Sequence, residues 1–194
     1  MNQQLKDVLV KVTRIFDKEN ITWGLGASGI LFYHGIVDQV NDIDIVVLPD
    51  HVEQAEALVL TIGKKVDTPP SSFYDNEYFG EFIVDGVELD IMSNMTIINH
   101  GIKFLYEFTK ASVVHYMKIQ DVNVPISSLE EWYFLYHIIP NKDKKIKILD
   151  DYYKDHDFEF PEKLIPYKGL LDHFDDKIKE ALCQIVLVES DSQI

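Results

Sequence analysis

The sequence WGLGASGILFYHG at residues 23–35 is followed, after a short gap, by NDIDIVVL at residues 41–48. The second stretch predicts a β-strand over residues 42–47, because its apolar residues are isoleucine and valine and a Pro-Asp pair follows it. Alternate side chains of a strand lie on the same face, so Asp42 and Asp44 share one face and the intervening isoleucine lies on the other. The pattern therefore brings two carboxylates together.

Two carboxylates on one face of a strand repel each other unless a positive charge compensates. The backbone separates Asp42 and Asp44 by about 6.6 Å. At an effective dielectric constant near 20, two unit charges at that distance repel by roughly 2–3 kcal/mol. A bound Mg²⁺ would offset this repulsion, because it takes oxygen ligands and is often held by one or two carboxylates plus substrate phosphates. The alternative is a strand that follows a turn, with both carboxylates in water.

The glycine-rich stretch predicts a tight turn between a short buried strand at residues 21–25 and a short helix at residues 30–33. Gly26, Ala27 and Ser28 carry little side-chain bulk, and the first N–H groups of a helix have no partner within it. Such a turn is a candidate anion site, to which the Ser28 hydroxyl adds a donor. The alternative is a strand-to-helix turn that binds no ligand.

A second interpretation of the same stretch is a dinucleotide-binding turn. Gly24, Gly26 and Gly29 spell G-x-G-x-x-G, and Asp44 follows the first glycine by the twenty residues typical of a ribose-binding acid. Two features count against an NAD-binding Rossmann-type protein. The acids open the hydrophobic strand instead of following it, and a helix that ends at Gly35 is short for a crossover between parallel strands.

A third carboxylate comes from a predicted hairpin further along the chain. Residues 78–84 and 87–92 form its strands, and an Asp-Gly pair forms its two-residue turn. In the second strand Leu89 and its apolar neighbours face one way, whereas Glu88 and Asp90 face the other.

Amphipathic helices are predicted at two places in this half of the chain, residues 3–19 and residues 50–62.

The sequence changes character after residue 126. A serine can begin a helix there, and a second helix is predicted over residues 141–153, with one or two more over residues 161–188. We therefore expect an α/β (α+β) fold, in which a mixed, twisted sheet is flanked by helices. Its domains would be a core at residues 1–126 and a helical C-terminal region at residues 127–194 packed on that core.

Composition limits the classes of function. The chain has 194 residues, of which 46% are hydrophobic and 12% aromatic, as in folded globular proteins. The net charge of −15 argues against broad binding to long nucleic acid or to an anionic membrane surface, because both depend on neutralising phosphates. No secretion signal or apolar run long enough to span a bilayer is evident. The single cysteine, Cys183, cannot form an internal disulfide, so we expect a cytoplasmic protein.

Taken together, these motifs resemble the nucleotidyltransferase superfamily of DNA polymerase beta. The family pattern is h-G-[GS]-S, a short helix, D-h-[DE]-h and then h-[DE]-h, where h is a hydrophobic residue. Here the positions are filled by Leu25-Gly26-Ala27-Ser28, Asp42-Ile43-Asp44-Ile45 and Leu89-Asp90-Ile91. The resemblance covers roughly residues 20–92. Within the superfamily, the chain looks most like small bacterial enzymes, namely the antibiotic adenylyltransferases and the nucleotidyltransferases of toxin–antitoxin pairs.

The resemblance implies an enzyme that uses a nucleoside triphosphate and Mg²⁺ or Mn²⁺. Asp42 and Asp44 would hold a cation that bridges the triphosphate, and Asp90 would complete a second metal position and act as base or orienter for the acceptor hydroxyl. The group transferred is a nucleoside monophosphate, and pyrophosphate leaves. The acidic composition favours a small molecule or a protein as the acceptor over long nucleic acid.

The resemblance also implies that Gly26, Ala27 and Ser28 bind the outer phosphates. Two positions depart from the family pattern. Ala27 stands where relatives usually have Gly or Ser, and Tyr136 stands where they often carry a Lys in the first C-terminal helix. These departures leave a second hypothesis open, in which the chain is a catalytically silent binding module or antitoxin on the same fold.

Overall fold

The computed structural model describes residues 1–99, 102–159 and 161–164. Backbone contacts divide the chain into two compact units, Met1–Leu129 and Glu130–Ile194. The boundary after residue 126 and the packing of a C-terminal region on the core stay predictions. The helices of the first unit are α1 (Gln3–Lys18), α2 (Ala27–Tyr33) and α3 (Val52–Val59). Its strands are β1 (Trp23–Leu25), β2 (Ile43–Val47), β3 (Lys64–Val66), β4 (Tyr78–Val84), β5 (Val87–Ser93), β6 (Met95–Asn99), β7 (Ile102–Tyr106), β8 (Val113–Ile119) and β9 (Val122–Ser127).

Seven of these strands form one mixed sheet in the order β3-β4-β5-β2-β1-β9-β8, and β6 and β7 form a separate antiparallel pair. The strand β2 lies inside the sheet. It pairs antiparallel with β1 and parallel with β5. The expected mixed sheet flanked by helices is therefore confirmed.

The antiparallel pairing of β1 with β2 excludes the dinucleotide-binding interpretation. That fold needs a parallel βαβ unit, in which a crossover helix joins two neighbouring parallel strands. Here α2 has only seven residues, and the chain reverses after it, so that Leu25 pairs with Ile45 in antiparallel register. The glycines of the G-x-G-x-x-G sequence therefore do not form a dinucleotide-binding turn.

The first helix forms where its apolar residues recur every three or four positions. It begins after Asn2, whose side chain accepts a hydrogen bond from the Leu5 N–H at 2.9 Å and so caps the helix. Its buried face consists of Leu5, Val8, Leu9, Val10, Val12, Thr13 and Phe16. The helix ends before Asn20, which has the left-handed conformation (φ 55°) expected of a residue that follows a helix end.

Two predicted boundaries differ from the structure. The helix α2 begins at Ala27, three residues before the predicted start, because the small residues after Gly26 already adopt helical hydrogen bonding: the Gly29 and Ile30 N–H groups both donate to the Gly26 carbonyl. The helix predicted at residues 50–62 is shorter, since a 3₁₀ turn over Pro49–His51 precedes α3. Propensity and pattern define element ends less well than element centres.

The predicted hairpin of β4 and β5 is confirmed. Val84 pairs with Val87 across the turn, and Asp85 and Gly86 have positive φ angles of 50° and 78°, as a two-residue turn of this type requires. Along β5 the side chains of Val87, Leu89 and Ile91 are buried, whereas Glu88 is exposed. The face of the strand that carries Asp90 is therefore the one predicted from alternation.

The second unit contains α4 (Leu129–Ile138), whose first residue belongs to the first unit, and α5 (Asp143–Tyr152). The side chains of Trp132, Leu135 and Tyr136 in α4, and of Ile139 just after it, are buried. Most of the helices predicted over residues 161–188, together with Cys183, lie outside the described residues. Within the described part of the chain, no helix is both long and apolar enough to cross a membrane.

Candidate active site

The paired acids lie at the start of β2. Asp42 immediately precedes the strand and Asp44 is its second residue, and both side chains are half-buried. The residues that alternate with them, Ile43 and Ile45, are fully buried on the other face. The strand thus anchors itself with its apolar face and leaves both carboxylates on the opposite face, as the alternation predicts.

The parallel pairing of β2 with β5 brings the third acid to the same place. Asp44 and Asp90 are register partners on the two strands, although 46 residues separate them in sequence. Neighbouring strands are about 4.8 Å apart, so the two side chains lie next to each other on one face of the sheet. The Oδ1 atom of Asp90 is buried and has no hydrogen-bond partner among the described residues. A buried carboxylate oxygen of this kind is available to a cation or to a hydroxyl donor.

The surroundings of Asp90 change the pKa of its carboxyl. Burial, followed by the negative charges of Asp44 and Glu81 and by a smaller effect of Asp42, raises the pKa of the Asp90 carboxyl from 3.8 to about 7. Both causes disfavour the charged form, because burial removes water and the neighbouring carboxylates repel a further negative charge. A carboxyl with a pKa near neutrality can hold or release a proton at physiological pH.

The glycine turn is attached directly to the acidic strand. The Gly26 N–H donates to the backbone carbonyl of Asp44 at 2.8 Å, which aligns the turn with the middle of the site. Two residues later, the Ser28 hydroxyl donates to Oδ1 of Asp42 at 3.2 Å. The residues predicted to bind phosphate and those predicted to bind metal therefore lie within hydrogen-bonding distance of one another.

Ala27 has an unusual backbone conformation. Its φ angle is +42°, in the left-handed region, and its side chain is buried. An L-residue with a Cβ atom in this region is disfavoured by roughly 1–2 kcal/mol relative to the right-handed region. Glycine has no such penalty. The physical consequence of alanine at this position is thus backbone strain next to the carboxylates.

A cavity of about 780 Å³ opens beside Asp44 and Asp90. Its walls come from β3, β4 and the segment that joins them, residues 67–77, and they include three groups that the sequence analysis did not single out: Lys65, Tyr74 and Glu81. Lys65 is paired with Glu56 at 2.6 Å. Burial and the charge of Asp44 raise the pKa of the Tyr74 hydroxyl to about 12. No local sequence signal marks Tyr74, because it lies in a loop that is far from the motifs along the chain.

The donor set suits a hard divalent cation. Asp42, Asp44 and Asp90 supply carboxylate oxygens, and the unsatisfied oxygen of Asp90 is a ready ligand atom. In the part of the chain that the structure describes, no group of three His, Cys, Asp or Glu residues is arranged as a metal cluster. Because Mg²⁺ usually keeps one or two protein carboxylates and takes its remaining ligands from substrate phosphates and water, a preformed three-carboxylate cluster is not required.

Solved structures provide a comparison for this arrangement, whereas no protein-family profile and no curated protein sequence matches the chain. A protein from Thermotoga maritima described as a candidate nucleotidyltransferase aligns with 80% of this chain and 97% of its own, at 21% identity and a TM-score of 0.61. The crystal structure of ANT(2")-Ia in complex with adenylyl-2"-tobramycin aligns with 74% of this chain and 84% of its own, at 15% identity and a TM-score of 0.51. The solution structure of the antibiotic-resistance factor ANT(2'')-Ia covers 98% of this chain and 94% of its own, at 16% identity and a TM-score of 0.53. The chain therefore has the nucleotidyltransferase fold, as its motifs predict.

Proposed function

We propose that this chain is a metal-dependent nucleotidyltransferase, which moves a nucleoside monophosphate from a nucleoside triphosphate to a hydroxyl group and releases pyrophosphate. The observation that carries the proposal is the convergence of the three acids and the glycine turn. Asp44 and Asp90 are register partners on adjacent parallel strands, and the Ser28 hydroxyl donates a hydrogen bond to Asp42. Carboxylates and a hydroxyl-bearing turn thus meet at one point of a nucleotidyltransferase fold.

Asp42 and Asp44 would hold Mg²⁺ or Mn²⁺ in this proposal, and Asp90 would contribute to a second metal position. The bound ions would supply charge stabilisation for the attacking and leaving oxygens of an in-line transfer. The protein would orient both carboxylates of β2 through the buried isoleucines on its other face. Each carboxylate would also be relieved of the repulsion that it experiences without a cation.

Gly26, Ala27 and Ser28 would bind the outer phosphates through backbone N–H groups and the Ser28 hydroxyl. This hydroxyl is already directed at Asp42 at 3.2 Å, so a phosphate bridged to the cation would lie within its reach. Ala27 has its left-handed φ angle of +42° within this turn. Its Cβ atom is the one feature of the turn that a family member with glycine would lack.

Asp90 would receive the proton of the acceptor hydroxyl or orient that hydroxyl for attack. Its buried Oδ1 atom has no hydrogen-bond partner among the described residues, so it can accept the hydrogen bond of that hydroxyl. The cavity of about 780 Å³ beside it has the size of a small-molecule site, which supports a small hydroxyl-bearing acceptor, with a protein side chain as the alternative. The likeness to ANT(2")-Ia, whose complex contains adenylyl-2"-tobramycin, points to the same class of acceptor.

A second candidate function is a catalytically silent binding module on the same fold. The left-handed Ala27 favours it, because the family pattern has Gly or Ser at the phosphate-binding turn. A silent module with an empty metal position would bind its partner without needing Mg²⁺. The two candidates therefore differ in whether a divalent cation and a nucleotide stabilise the fold together.

Melting curves of the wild type and Asp44→Asn, with and without Mg²⁺ and ATP, test the proposal. We expect Mg-ATP to stabilise the wild type, by about 2.7 kcal/mol when the ligand is at a hundredfold excess over its dissociation constant. The variant should gain little, because it lacks one of the two ligands on β2. Without metal, Asp44→Asn should melt at or above the wild-type temperature, since it removes a like-charge repulsion.

Asp50→Asn is the matched control, because Asp50 is an exposed aspartate just beyond the same strand. It should retain the full Mg-ATP shift of the wild type. Pyrophosphate release from ATP, GTP, CTP and UTP, measured for the three proteins, gives the corresponding test of turnover. A wild type with no Mg-dependent shift at millimolar Mg-ATP would contradict the proposal and support the silent module.

A further inference from the structure

The cavity lies on one particular side of the acidic strand. It is lined by Asp44 of β2 and by residues of β3, β4, β5 and the segment 67–77, so it opens on the side of β2 where β5 and β4 lie. The glycine turn follows β1, which is the neighbour of β2 on the other side. If the phosphates of the nucleotide bind at the turn, the hydroxyl that attacks must approach from the cavity, past Asp44 and Asp90. The side chains of the cavity wall are therefore on the acceptor side of the reaction.

Tyr74 lines the same cavity as Asp44 and Asp90, and its backbone position is held by its neighbours along the chain. The segment that carries it is fastened to β6: the Asp75 N–H donates to the Thr96 carbonyl at 2.8 Å, and the Ile98 N–H donates to the Phe73 carbonyl at 2.8 Å. Tyr74 itself forms an antiparallel bridge with Ile97. Backbone hydrogen bonds of both its neighbours, Phe73 and Asp75, thus hold the backbone of Tyr74 along the edge of β6.

The Tyr74 hydroxyl differs from the other hydroxyls of the cavity in having no hydrogen-bond partner among the described residues. The Thr68 hydroxyl donates to Oε2 of Glu81 at 3.0 Å. The Ser71 hydroxyl accepts a hydrogen bond from the Phe73 N–H at 3.1 Å. The Tyr74 side chain is half-buried, and the charge of Asp44 acts on its hydroxyl. An uncommitted phenol therefore stands beside the carboxylates on the side from which an acceptor must come.

We propose that Tyr74 is an internal acceptor, so that the chain nucleotidylylates itself on this tyrosine when no other acceptor fills the cavity. The inference rests on the proposed function. In the step, the phenol oxygen forms a bond to the α-phosphorus of the nucleoside triphosphate, and the bond between that phosphorus and the α–β bridging oxygen breaks. The phenol proton passes to the Asp90 carboxylate, and pyrophosphate leaves with the bond electrons.

The modified residue would have a direct effect on the site. A nucleoside monophosphate attached to Tyr74 would occupy the cavity that an external acceptor needs, because Tyr74 lines that cavity. Self-transfer would therefore stop the chain from acting on other acceptors. An acceptor that binds in the cavity would in turn protect Tyr74.

Intact-protein mass spectrometry and peptide mapping test the inference. The wild-type chain is incubated with Mg²⁺ and, separately, ATP, GTP, CTP or UTP. We expect a mass increase of one nucleoside monophosphate with at least one of the four, located on the peptide that contains Tyr74. Tyr74→Phe and Asp44→Asn should lose the adduct. Tyr116→Phe should keep it, because Tyr116 is 64% exposed on the edge strand β8 and lines no part of the cavity.

Melting curves of Tyr74→Phe with Mg-ATP keep the two proposals separate. This variant should retain the wild-type shift, because it removes the acceptor oxygen and leaves the residues proposed to bind metal and phosphate. A wild type that shows the shift but forms no adduct overturns the self-transfer and leaves the proposed function standing. An adduct on another residue, or one that persists in Asp44→Asn, also overturns it. A wild type with neither shift nor adduct overturns both proposals.

Discussion

At the scale of single residues, Asp90 is the acid of the site whose protonation affects the stability of the protein. Asp90 is the register partner of Asp44 on the adjacent strand, and burial with neighbouring negative charge raises the pKa of its carboxyl from 3.8 to about 7. A pKa that is higher in the folded than in the unfolded state means that the folded state binds the proton more tightly. The stability of the metal-free protein is therefore linked to pH through this residue.

The sign of the linkage predicts a loss of stability as the pH rises. Below a pH of about 4 both states are protonated at Asp90, and between about pH 4 and pH 7 the unfolded state releases its proton while the folded state retains it. The free energy of unfolding of the metal-free wild type should decrease across this window and level off above it. Asp90→Asn should remove part of that slope and should be the more stable protein at about pH 8 in the presence of a chelator.

Urea unfolding at several pH values in chelator measures this effect. Glu53→Gln is a suitable control, because Glu53 is an exposed carboxylate on α3 and is not among the charges that act on Asp90. Its slope should equal that of the wild type. Parallel loss of stability by Asp90→Asn and the wild type between acid and neutral pH would contradict a raised pKa of the Asp90 carboxyl.

At the scale of elements, the contact between α2 and β1 positions the turn that we propose to bind phosphate. A Cβ atom added to Gly29 would lie 2.6 Å from Cγ of Leu25 and less than 3 Å from both of its terminal methyl groups. Leu25 is only 1% exposed, so its side chain has little room to move. Gly29 therefore permits the close approach of the helix to the strand, which explains a glycine within a helix without reference to dinucleotides.

Gly29→Ala should destabilise the protein although alanine is the better helix former. Overpacking a filled core costs about 1–3 kcal/mol, and helix propensity returns about 1 kcal/mol of it. We expect a net loss of up to about 2 kcal/mol in urea unfolding. In a Leu25→Ala background the same substitution should be neutral or stabilising, because the clashing atoms are gone. A Gly29→Ala effect that is the same in both backgrounds would mean that the two residues are not coupled.

At the scale of the whole molecule, the net charge of −15 sets how the protein responds to salt. Excess negative charge destabilises a compact state by self-repulsion, and dissolved ions screen that repulsion. The melting temperature of the metal-free wild type should therefore rise between about 20 mM and about 500 mM NaCl, over which the screening length falls several-fold. This response is general and needs no specific site.

The proposed Mg²⁺ site would add a specific effect to the general response. In the presence of ATP, MgCl₂ should raise the wild-type melting temperature by more than NaCl does at the same ionic strength. For Asp42→Asn combined with Asp44→Asn, the two salts should have equal effects, since only screening remains. Equal effects of MgCl₂ and NaCl on the wild type would show that the cation acts through the overall charge and not at β2.

Local patterns explain what the sequence by itself determined. The alternation of acids and isoleucines in residues 42–47 predicts the strand β2 and the shared face of Asp42 and Asp44, and the Asp-Gly turn predicts the hairpin that carries Asp90. Each of these features depends on neighbours within a few residues, because backbone geometry repeats every two residues in a strand and every 3.6 in a helix. The motifs, taken together, also predicted the fold that solved structures share with this chain.

The tertiary structure alone decided which strands outside the predicted hairpin are neighbours. G-x-G-x-x-G with a distant acid is compatible with a parallel βαβ unit, and only the antiparallel pairing of β1 with β2 excludes it. The juxtaposition of Asp44 with Asp90 depends on the parallel pairing of β2 with β5, and the position of Tyr74 depends on hydrogen bonds to β6. These pairings join residues far apart in sequence, so they are set by the burial of whole faces and by the backbone hydrogen bonds of the sheet, neither of which has a local signature.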